Sequence, residues 1–191
     1  YSTNTTTTDF LIANNSVTGT NSTAQGFPSD PLVGYQWYLH NPTPGLLDLN
    51  VVDVWQDYTG QGVEVAVVDD GVQWWHPDLA SNYSTFKDWD FANGDTSASG
   101  GFNDNHGTAV AGIIGATGNN GIGGAGIAYD STLFGYQVDT FQHIASAILY
   151  ASGQNQDGYD GEADIVNISL GNSDQSFFDS FLNSQDLAVL N

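Results

Sequence analysis

An α/β fold built on a parallel sheet is the architecture that this sequence predicts. The chain has 191 residues, of which 40% are hydrophobic and 13% aromatic, enough for one domain with a sizeable core. Short apolar runs alternate along the chain with stretches of helical periodicity. Strands that alternate with helices are joined by right-handed crossovers, which place the helices on the faces of a parallel sheet.

The apolar runs predict strands, and the longer periodic segments between them predict helices. The first strand is a short and mainly apolar run, which is typical of a strand covered on both faces. The expected strands are residues 63–68, 132–138 and 164–170. The expected helices are residues 46–55, 108–116, 140–152 and 177–190. Because the chain then ends without a returning strand, we expect a sheet truncated before its later strands.

The first part of the chain has a different composition from the rest. Residues 1–26 are rich in Ser, Thr and Asn and poor in apolar residues, which predicts a flexible linker or an exposed leader. Residues 27–191 are expected to form the folded part. The chain contains no Met, so its first residue is not a translation start and we expect a processed or partial product.

The charge of the chain restricts its partners. There are 22 acidic residues against one basic residue, Lys87, and the net charge is -21. This field repels nucleic acid and anionic membranes and favours cations or basic peptides. No apolar run approaches the roughly 20 residues that span a bilayer. Nearly all the acids are Asp, which suits calcium-binding loops, and adaptation to salty surroundings explains the bias equally well.

Two short segments carry the chemistry. Asp69 follows the first predicted strand, and side chains at the carboxyl ends of parallel strands converge where ligands bind. His106 precedes a helix of small residues that can approach the sheet closely. An isolated His-Gly-Thr is more typical of a buried structural histidine, but its pairing with a strand-borne Asp favours catalysis. The carboxylate would fix the imidazole tautomer and stabilise the imidazolium.

These segments resemble the subtilisin-like serine proteases (the subtilases), and most closely the kexin and furin branch of proprotein convertases. The resemblance covers residues 30–191. Its motifs are Gln-Trp-Tyr-Leu at 36–39, Gly-Gln-Gly-Val at 60–63, Val-Asp-Asp-Gly at 68–71, His-Pro-Asp-Leu at 76–79, Asn-Asp-Asn-His-Gly-Thr at 103–108 and Asn-Asn-Gly-Ile-Gly-Gly at 119–124. The resemblance implies a three-layer fold with a parallel sheet flanked by helices.

The resemblance also implies the catalytic roles. Asp69 is the expected orienting acid and His106 the expected general base. The family's nucleophile lies in a Gly-Thr-Ser motif, which is not found in these 191 residues. We therefore expect the serine downstream, and we expect this chain to be the N-terminal part of a catalytic domain. By itself the chain should be inactive, and its partners should include the remainder of that domain.

Substrate-binding residues are expected by the same resemblance. Ser169, Leu170 and Gly171 match the segment whose main chain pairs with an extended peptide. Asp70 and Asp104 resemble acids that accept a basic side chain next to the scissile bond. Two departures weaken a basic preference, because this chain has Asn where the branch usually has a basic residue before the histidine, and Leu where it has Trp at the substrate edge. The preference for a basic or an apolar residue stays open.

A structural calcium ion is the cofactor that the resemblance implies. Hard cations prefer oxygen ligands, and a Gly-rich loop can aim backbone carbonyls at one point. The alternative is an ordinary Gly-Asn turn. The ligands expected from the family's strong site are the side chains of Asp30, Asp78 and Asn120 and the carbonyls of Thr117, Ile122 and Gly124.

The sequence thus predicts part of a secreted or cell-surface serine endopeptidase that is stabilised by calcium and acts on peptide or protein substrates. The alternative is a non-catalytic, subtilase-like module for calcium binding or adhesion. A Gly-Thr-Ser motif in the downstream sequence would favour the enzyme. Trp74 and Trp75 either line the groove or cover the core, and we favour the core.

Overall fold

One parallel sheet organises the part of the chain that the computed structural model describes, residues 26–154 and 158–170. Its strands pair in the order β2-β3-β1-β4, all parallel. The strands are β1 (Glu64–Asp69), β2 (Trp89–Asp90), β3 (Thr132–Gln137) and β4 (Ile165–Ile168). The helices are α1 (His106–Gly115) and α2 (Phe141–Ala151). Short 3₁₀ turns lie at Val33–Tyr35, Val54–Gln56 and Thr85–Lys87.

The two helices cover opposite faces of the sheet. Ala66 and Val68 of β1 belong to a buried cluster with Ile144 and Ala147 of α2. The alternate residues of β1, Val65 and Val67, belong to a second buried cluster with Ala111 of α1. Because successive side chains of a strand point to opposite faces, β1 is covered on both sides. The predicted α/β fold, a parallel sheet between helical layers, is confirmed.

Most elements lie within two residues of their predicted bounds. The α2 helix begins after Thr140, whose Oγ1 accepts a hydrogen bond from His143 N at 3.2 Å. It ends before Gly153, which has a φ of +71°. These are the ordinary start and stop signals of a helix, so they can be read from sequence. The predicted helix at 177–190, and all but the last residue of the predicted linker at 1–26, lie outside the described residues.

The prediction of a helix over residues 46–55 is wrong. Only the 3₁₀ turn at Val54–Gln56 is helical there. The Asp48 carboxylate accepts hydrogen bonds from Asn41 N at 2.6 Å and Asn50 N at 2.8 Å, and Asn50 has a φ of +50°. An aspartate that bonds nearby backbone N–H groups stabilises a turn in competition with a helix. Leu47 is 88% exposed, so the apolar pattern of residues 46–55 does not reflect burial of this side chain.

The single basic residue of the chain connects three segments of the fold. Lys87 Nζ donates to Glu64 Oε2 at 2.8 Å and to the Glu162 carbonyl at 2.9 Å. It therefore ties the segment before β2 to the start of β1 and to the segment before β4. Its ammonium also lies 5.8 Å from the centre of the Phe134 ring. The one cation is used inside the structure, and its side chain is only 14% exposed.

No helix in the described parts of the chain has the length and apolar character needed to cross a membrane.

A buried carboxylate, that of Asp88, directly follows Lys87 in the sequence. Asp88 is 1% exposed, and its Oδ1 accepts hydrogen bonds from Tyr83 Oη at 2.8 Å and Gly135 N at 2.7 Å. Burial raises the pKa of Asp88 from 3.8 to about 6, although the two hydrogen bonds oppose this rise. The folded protein therefore binds a proton at Asp88 more readily than the unfolded chain does. Ionisation of Asp88 costs stability as the pH rises through about 6.

We predict that Asp88→Asn stabilises the protein above pH 7 and has little effect near pH 4. The amide oxygen of Asn can accept both hydrogen bonds, whereas the buried charge is removed. A shift from 3.8 to about 6 corresponds to a gain of up to about 3 kcal/mol at high pH. Denaturant unfolding from pH 4 to pH 8 measures the difference, with the exposed Asp57→Asn as the control for net charge. A difference that is constant across this range would contradict the prediction.

Candidate active site

Asp69 occupies the carboxyl end of the strand in the middle of the sheet. β1 pairs with β3 on one side and β4 on the other, and Asp69 lies opposite Gln137. The side chain is fully buried, with 0% exposure. It is the last residue of a strand covered on both faces, so its carboxylate lies buried at the carboxyl end of the sheet, where ligands bind in such folds.

His106 is brought to this carboxylate by a close approach of α1 to the sheet. The residue after it, Gly107, is buried against the turn that follows β1. A Cβ at Gly107 would overlap the Gly71 carbonyl oxygen and lie 2.8 Å from Asp69 Cβ. Only glycine therefore allows the first turn of α1 to contact the end of β1.

The two side chains form a short hydrogen bond. His106 Nδ1 lies 2.7 Å from Asp69 Oδ1, which also accepts a bond from Asp70 N at 2.8 Å. Asp69 Oδ2 is buried and has no hydrogen-bond partner within the described residues. The imidazole itself is 56% exposed. A buried carboxylate thus holds one ring nitrogen while the rest of the ring faces the solvent side.

This environment changes the pKa of both groups. Burial raises the pKa of the Asp69 carboxyl, and the hydrogen bond to His106 partly offsets this. The hydrogen bond to Asp69 raises the pKa of His106 above 6.5, and the charges of Asp69 and Asp70 add to the effect. The carboxylate stabilises the protonated imidazole, so the ring is a better proton acceptor than a free histidine.

The arrangement can perform general base catalysis. Since Nδ1 donates to the carboxylate, Nε2 is the nitrogen that can take a proton from a bound group. A carboxylate that orients an exposed imidazole in this way can serve as the acid–base part of a nucleophilic hydrolase. The geometry therefore brings together the two residues that the sequence assigned to catalysis.

Asp70 and Asp104, both expected to bind substrate, are engaged by backbone N–H groups. Asp70 Oδ2 accepts from His106 N at 3.1 Å, and Asp70 Oδ1 accepts from Gly107 N at 2.7 Å. Asp104 Oδ2 accepts from Gly101 N at 2.6 Å. Sequence reasoning missed the contact of Asp70 with α1. Its only sequence signal is the second acid of the Asp-Asp-Gly turn, which does not reveal a helix 36 residues away.

The expected peptide-binding edge follows β4. Val68 pairs with Ile168, so Asp69 at the end of β1 and Ser169 directly after β4 lie at the same end of the sheet. Ser169 is exposed, and its Oγ donates to Asn167 Oδ1 at 2.8 Å. Leu170 packs partly against the α2 side of the core. Gly171 lies outside the described residues.

The expected calcium ligands lie in the loop that follows α1 or against it. Asp30 and Asp78 are 4% and 7% exposed. Asp30 accepts hydrogen bonds from Asn119 N at 2.6 Å and Gly121 N at 2.9 Å. Asp78 accepts from Asn120 Nδ2 at 2.7 Å and Gly124 N at 3.0 Å. The carbonyl oxygen of Asp78 also accepts from Thr117 N at 2.8 Å. The structure thus places both carboxylates against one Gly-rich loop, residues 117–124, which includes Ile122.

These residues suit a hard cation, because all their proposed ligand atoms are oxygens. The only basic side chain of the chain is bonded to Glu64, so it does not neutralise Asp30 or Asp78. Each carboxylate oxygen that accepts an N–H bond keeps acceptor capacity. Within the described residues no group of three or more His, Cys, Asp or Glu side chains could hold a metal, so a cation here would also need carbonyl or amide oxygens.

The preference for Trp74 and Trp75 in the core is wrong. They are 44% and 52% exposed, and their rings pack edge to face with centroids 5.4 Å apart. Trp75 lines a cleft of about 580 Å³ that also includes Phe102 and Asn105, the residue before His106. Aromatic surface is therefore available next to the Asp–His pair.

Comparisons with known proteins show the family to which the chain belongs. The profile described as "Subtilase family" (Peptidase_S8) matches residues 60–189. Human neuroendocrine convertase 2 is 43% identical over 120 residues, which cover 58% of this chain and 19% of that protein. The Caenorhabditis elegans protein of the same name is 40% identical over 120 residues, covering 58% of this chain and 18% of its own. The chain thus spans about a fifth of the length of the curated relatives it matches.

Solved structures are similar over most of the chain. The serine protease of Aeromonas sobria has a TM-score of 0.69 and 34% identity, covering 89% of this chain and 30% of its own. A protease from Pseudoalteromonas arctica PAMC 21717 has a TM-score of 0.67 and 31% identity, covering 76% of this chain and 51% of its own. The chain belongs to the subtilase family of serine proteases, and the expected resemblance to its convertase branch is confirmed.

We predict that Gly107→Ala destabilises the protein by about 1–3 kcal/mol, because the added methyl group overlaps the turn after β1. The control is Gly112→Ala in the same helix, where a Cβ meets nothing within 4 Å. That substitution should stabilise the protein by about 0.5–1 kcal/mol through helix propensity. Denaturant unfolding measures both, and a shift in the same direction for both variants would show that the close approach is unimportant.

Proposed function

We propose that this chain supplies the acid and the base of a serine endopeptidase that cleaves peptide or protein substrates. The supporting observation is the 2.7 Å hydrogen bond between the buried Asp69 carboxylate and the exposed His106 imidazole. Membership of the subtilase family supports the same chemistry. In this proposal the nucleophile is a serine in subtilase sequence downstream of these 191 residues, and the chain by itself is inactive.

In the proposed reaction His106 Nε2 takes the proton of the serine hydroxyl as the oxygen attacks the peptide carbonyl. Asp69 keeps the imidazole in the required tautomer and stabilises its protonated form. His106 then returns the proton to the leaving amine, and an acyl-enzyme remains. Water attacks the acyl group in the second half of the reaction, again with His106 as the base.

The proposed substrate lies along the carboxyl edge of the sheet. Ser169, Leu170 and Gly171 would pair with an extended peptide, because they follow the strand that adjoins β1. Asp104 and the charge of -21 favour peptides with basic residues. The same proposal includes a secreted or cell-surface location. It also includes the remainder of the catalytic domain as a partner, and no nucleic-acid or membrane partner.

We predict that Asp69→Asn and His106→Ala each reduce kcat of the full-length protein by about 10⁴-fold, because proton transfer to the imidazole fails. Peptide hydrolysis with burst-phase detection of the acyl-enzyme is the measurement. His40→Ala is the control, since His40 is an exposed histidine in the segment before β1. A full-length wild-type protein that folds but hydrolyses no peptide would instead favour a non-catalytic binding module.

We further propose that a structural calcium ion binds at the loop of residues 117–124. Asp30, Asp78 and the Asn120 side chain would provide oxygen ligands, together with the carbonyls of Thr117, Ile122 and Gly124. Two buried carboxylates that both bond to this loop, with the chain's single Lys bonded elsewhere, support this proposal. The bound ion would hold the loop against the segment at Asp30, and thereby support α1 from its C-terminal end.

We predict that a calcium chelator lowers the melting temperature of the full-length protein by several degrees. At a calcium concentration of 100 times Kd, binding contributes about 2.7 kcal/mol to stability. Asp78→Asn should abolish the difference between chelated and calcium-loaded protein, whereas the exposed Asp57→Asn should preserve it. If calcium and chelator give superimposable melting curves for the wild-type protein, the loop holds no calcium ion.

A further inference from the structure

Asp70 provides the N-terminal cap of α1 from outside the helix. The first N–H groups of a helix have no partner within it, and the preceding residue usually caps one of them. Here the preceding residue, Asn105, makes no capping hydrogen bond through its side chain to the described chain. Instead the two carboxylate oxygens of Asp70 accept from His106 N at 3.1 Å and Gly107 N at 2.7 Å.

His106 is consequently held at two points by consecutive residues of one strand end. Asp69 binds its ring Nδ1 at 2.7 Å, and Asp70 binds its backbone N–H. Asp70 N in turn donates to Asp69 Oδ1 at 2.8 Å, so the two carboxylates are fixed relative to each other. A movement of the first turn of α1 would disturb the backbone bond and the ring bond together.

The charge of Asp70 also lies where it can stabilise the start of α1. A carboxylate at a helix N-terminus interacts favourably with the positive end of the helix dipole. Hydrogen bonds from backbone N–H groups to a charged carboxylate are stronger than those to a neutral acceptor. The contact should therefore order the first turn of α1, which bears the imidazole.

We infer that Asp70 is a positioning residue, which fixes the start of α1 so that the His106 imidazole is aligned for proton transfer. This role differs from the binding of a basic substrate side chain. Both oxygens of Asp70 already accept hydrogen bonds from α1, so a substrate cation would have to share them. The inference rests on the proposed function only where turnover is measured, because the contact itself can be tested without a substrate.

The first measurement requires no catalysis. In the full-length protein, amide hydrogen exchange at His106 and Gly107 should accelerate at least tenfold in Asp70→Ala. The acceleration should be smaller in Asp70→Asn, because an Asn oxygen can still accept one N–H bond. The control Asp130→Asn removes an equal charge from an exposed residue just before the start of β3, at the other end of the sheet. It should leave the exchange rates of both amides unchanged. Exchange at these amides that stays at the wild-type rate in Asp70→Ala would overturn the inference.

The second measurement separates positioning from substrate recognition. We predict that kcat falls in the order wild type, Asp70→Asn, Asp70→Ala, by about 10²-fold in the last, because a displacement of about 1 Å can have this effect. KM should change less than threefold for peptides with Arg, Leu or Phe before the cut. Since Asn and Ala both lack the charge, only positioning predicts a partial rescue by Asn.

Substrate recognition by Asp70 predicts a different result. KM would then rise for the Arg peptide alone, equally in Asp70→Asn and Asp70→Ala, with kcat preserved, and this result would overturn the inference. If Asp70→Ala does not fold, the Asn variant still decides between the two patterns. If the wild-type protein hydrolyses none of the peptides, the proposed function fails, and the exchange measurement alone decides the role of Asp70.

Discussion

The hydrogen bond between Asp69 and His106 depends on a close contact between a strand end and a helix start. The carboxylate is fully buried and the imidazole is 56% exposed, so the pair spans the boundary between the core and the solvent. This position is possible because Gly107 has no side chain and the turn after β1 passes directly beneath α1. Asp70 joins the same two elements, because its carboxylate accepts hydrogen bonds from the first two N–H groups of α1.

Aspartates contribute to this fold mainly through backbone hydrogen bonds. With a single basic residue in the chain, most of the carboxylates cannot form ion pairs with Lys or Arg. Asp48 bonds N–H groups in the loop after the first 3₁₀ turn, Asp70 bonds the start of α1, and Asp78 bonds the Gly-rich loop. Asp90 similarly accepts from Ala92 N at 2.7 Å. The acidic composition is thus compatible with an ordered structure, because each buried aspartate accepts at least one hydrogen bond from a backbone N–H group. Asp69 Oδ2 alone among their carboxylate oxygens is buried without a partner in the described part of the chain.

The site and the core share the same central strand. Val65 to Val68 of β1 are buried on both faces, and the next residue is the proposed orienting acid. Tight packing of β1 between two helical layers limits the movement of Asp69, as proton transfer requires. In the proposed reaction the serine hydroxyl must lie within hydrogen-bonding distance of the imidazole, so a rigid Asp69–His106 pair would favour proton transfer.

Sequence by itself determined the α/β class, the bounds of β1, β3 and α2, and the identity of Asp69 and His106 as the residues to examine. These features have local signals: a continuous apolar run, a Thr cap, a terminal Gly, and acid and imidazole motifs. Tertiary structure alone decided the two-residue strand β2, the turn in place of the expected helix at 46–55, and the capping of α1 by Asp70. Each of these depends on hydrogen bonds or pairing partners that the local pattern does not show. A carboxylate binds whichever donor the fold brings to it, and that donor can be many residues away in sequence.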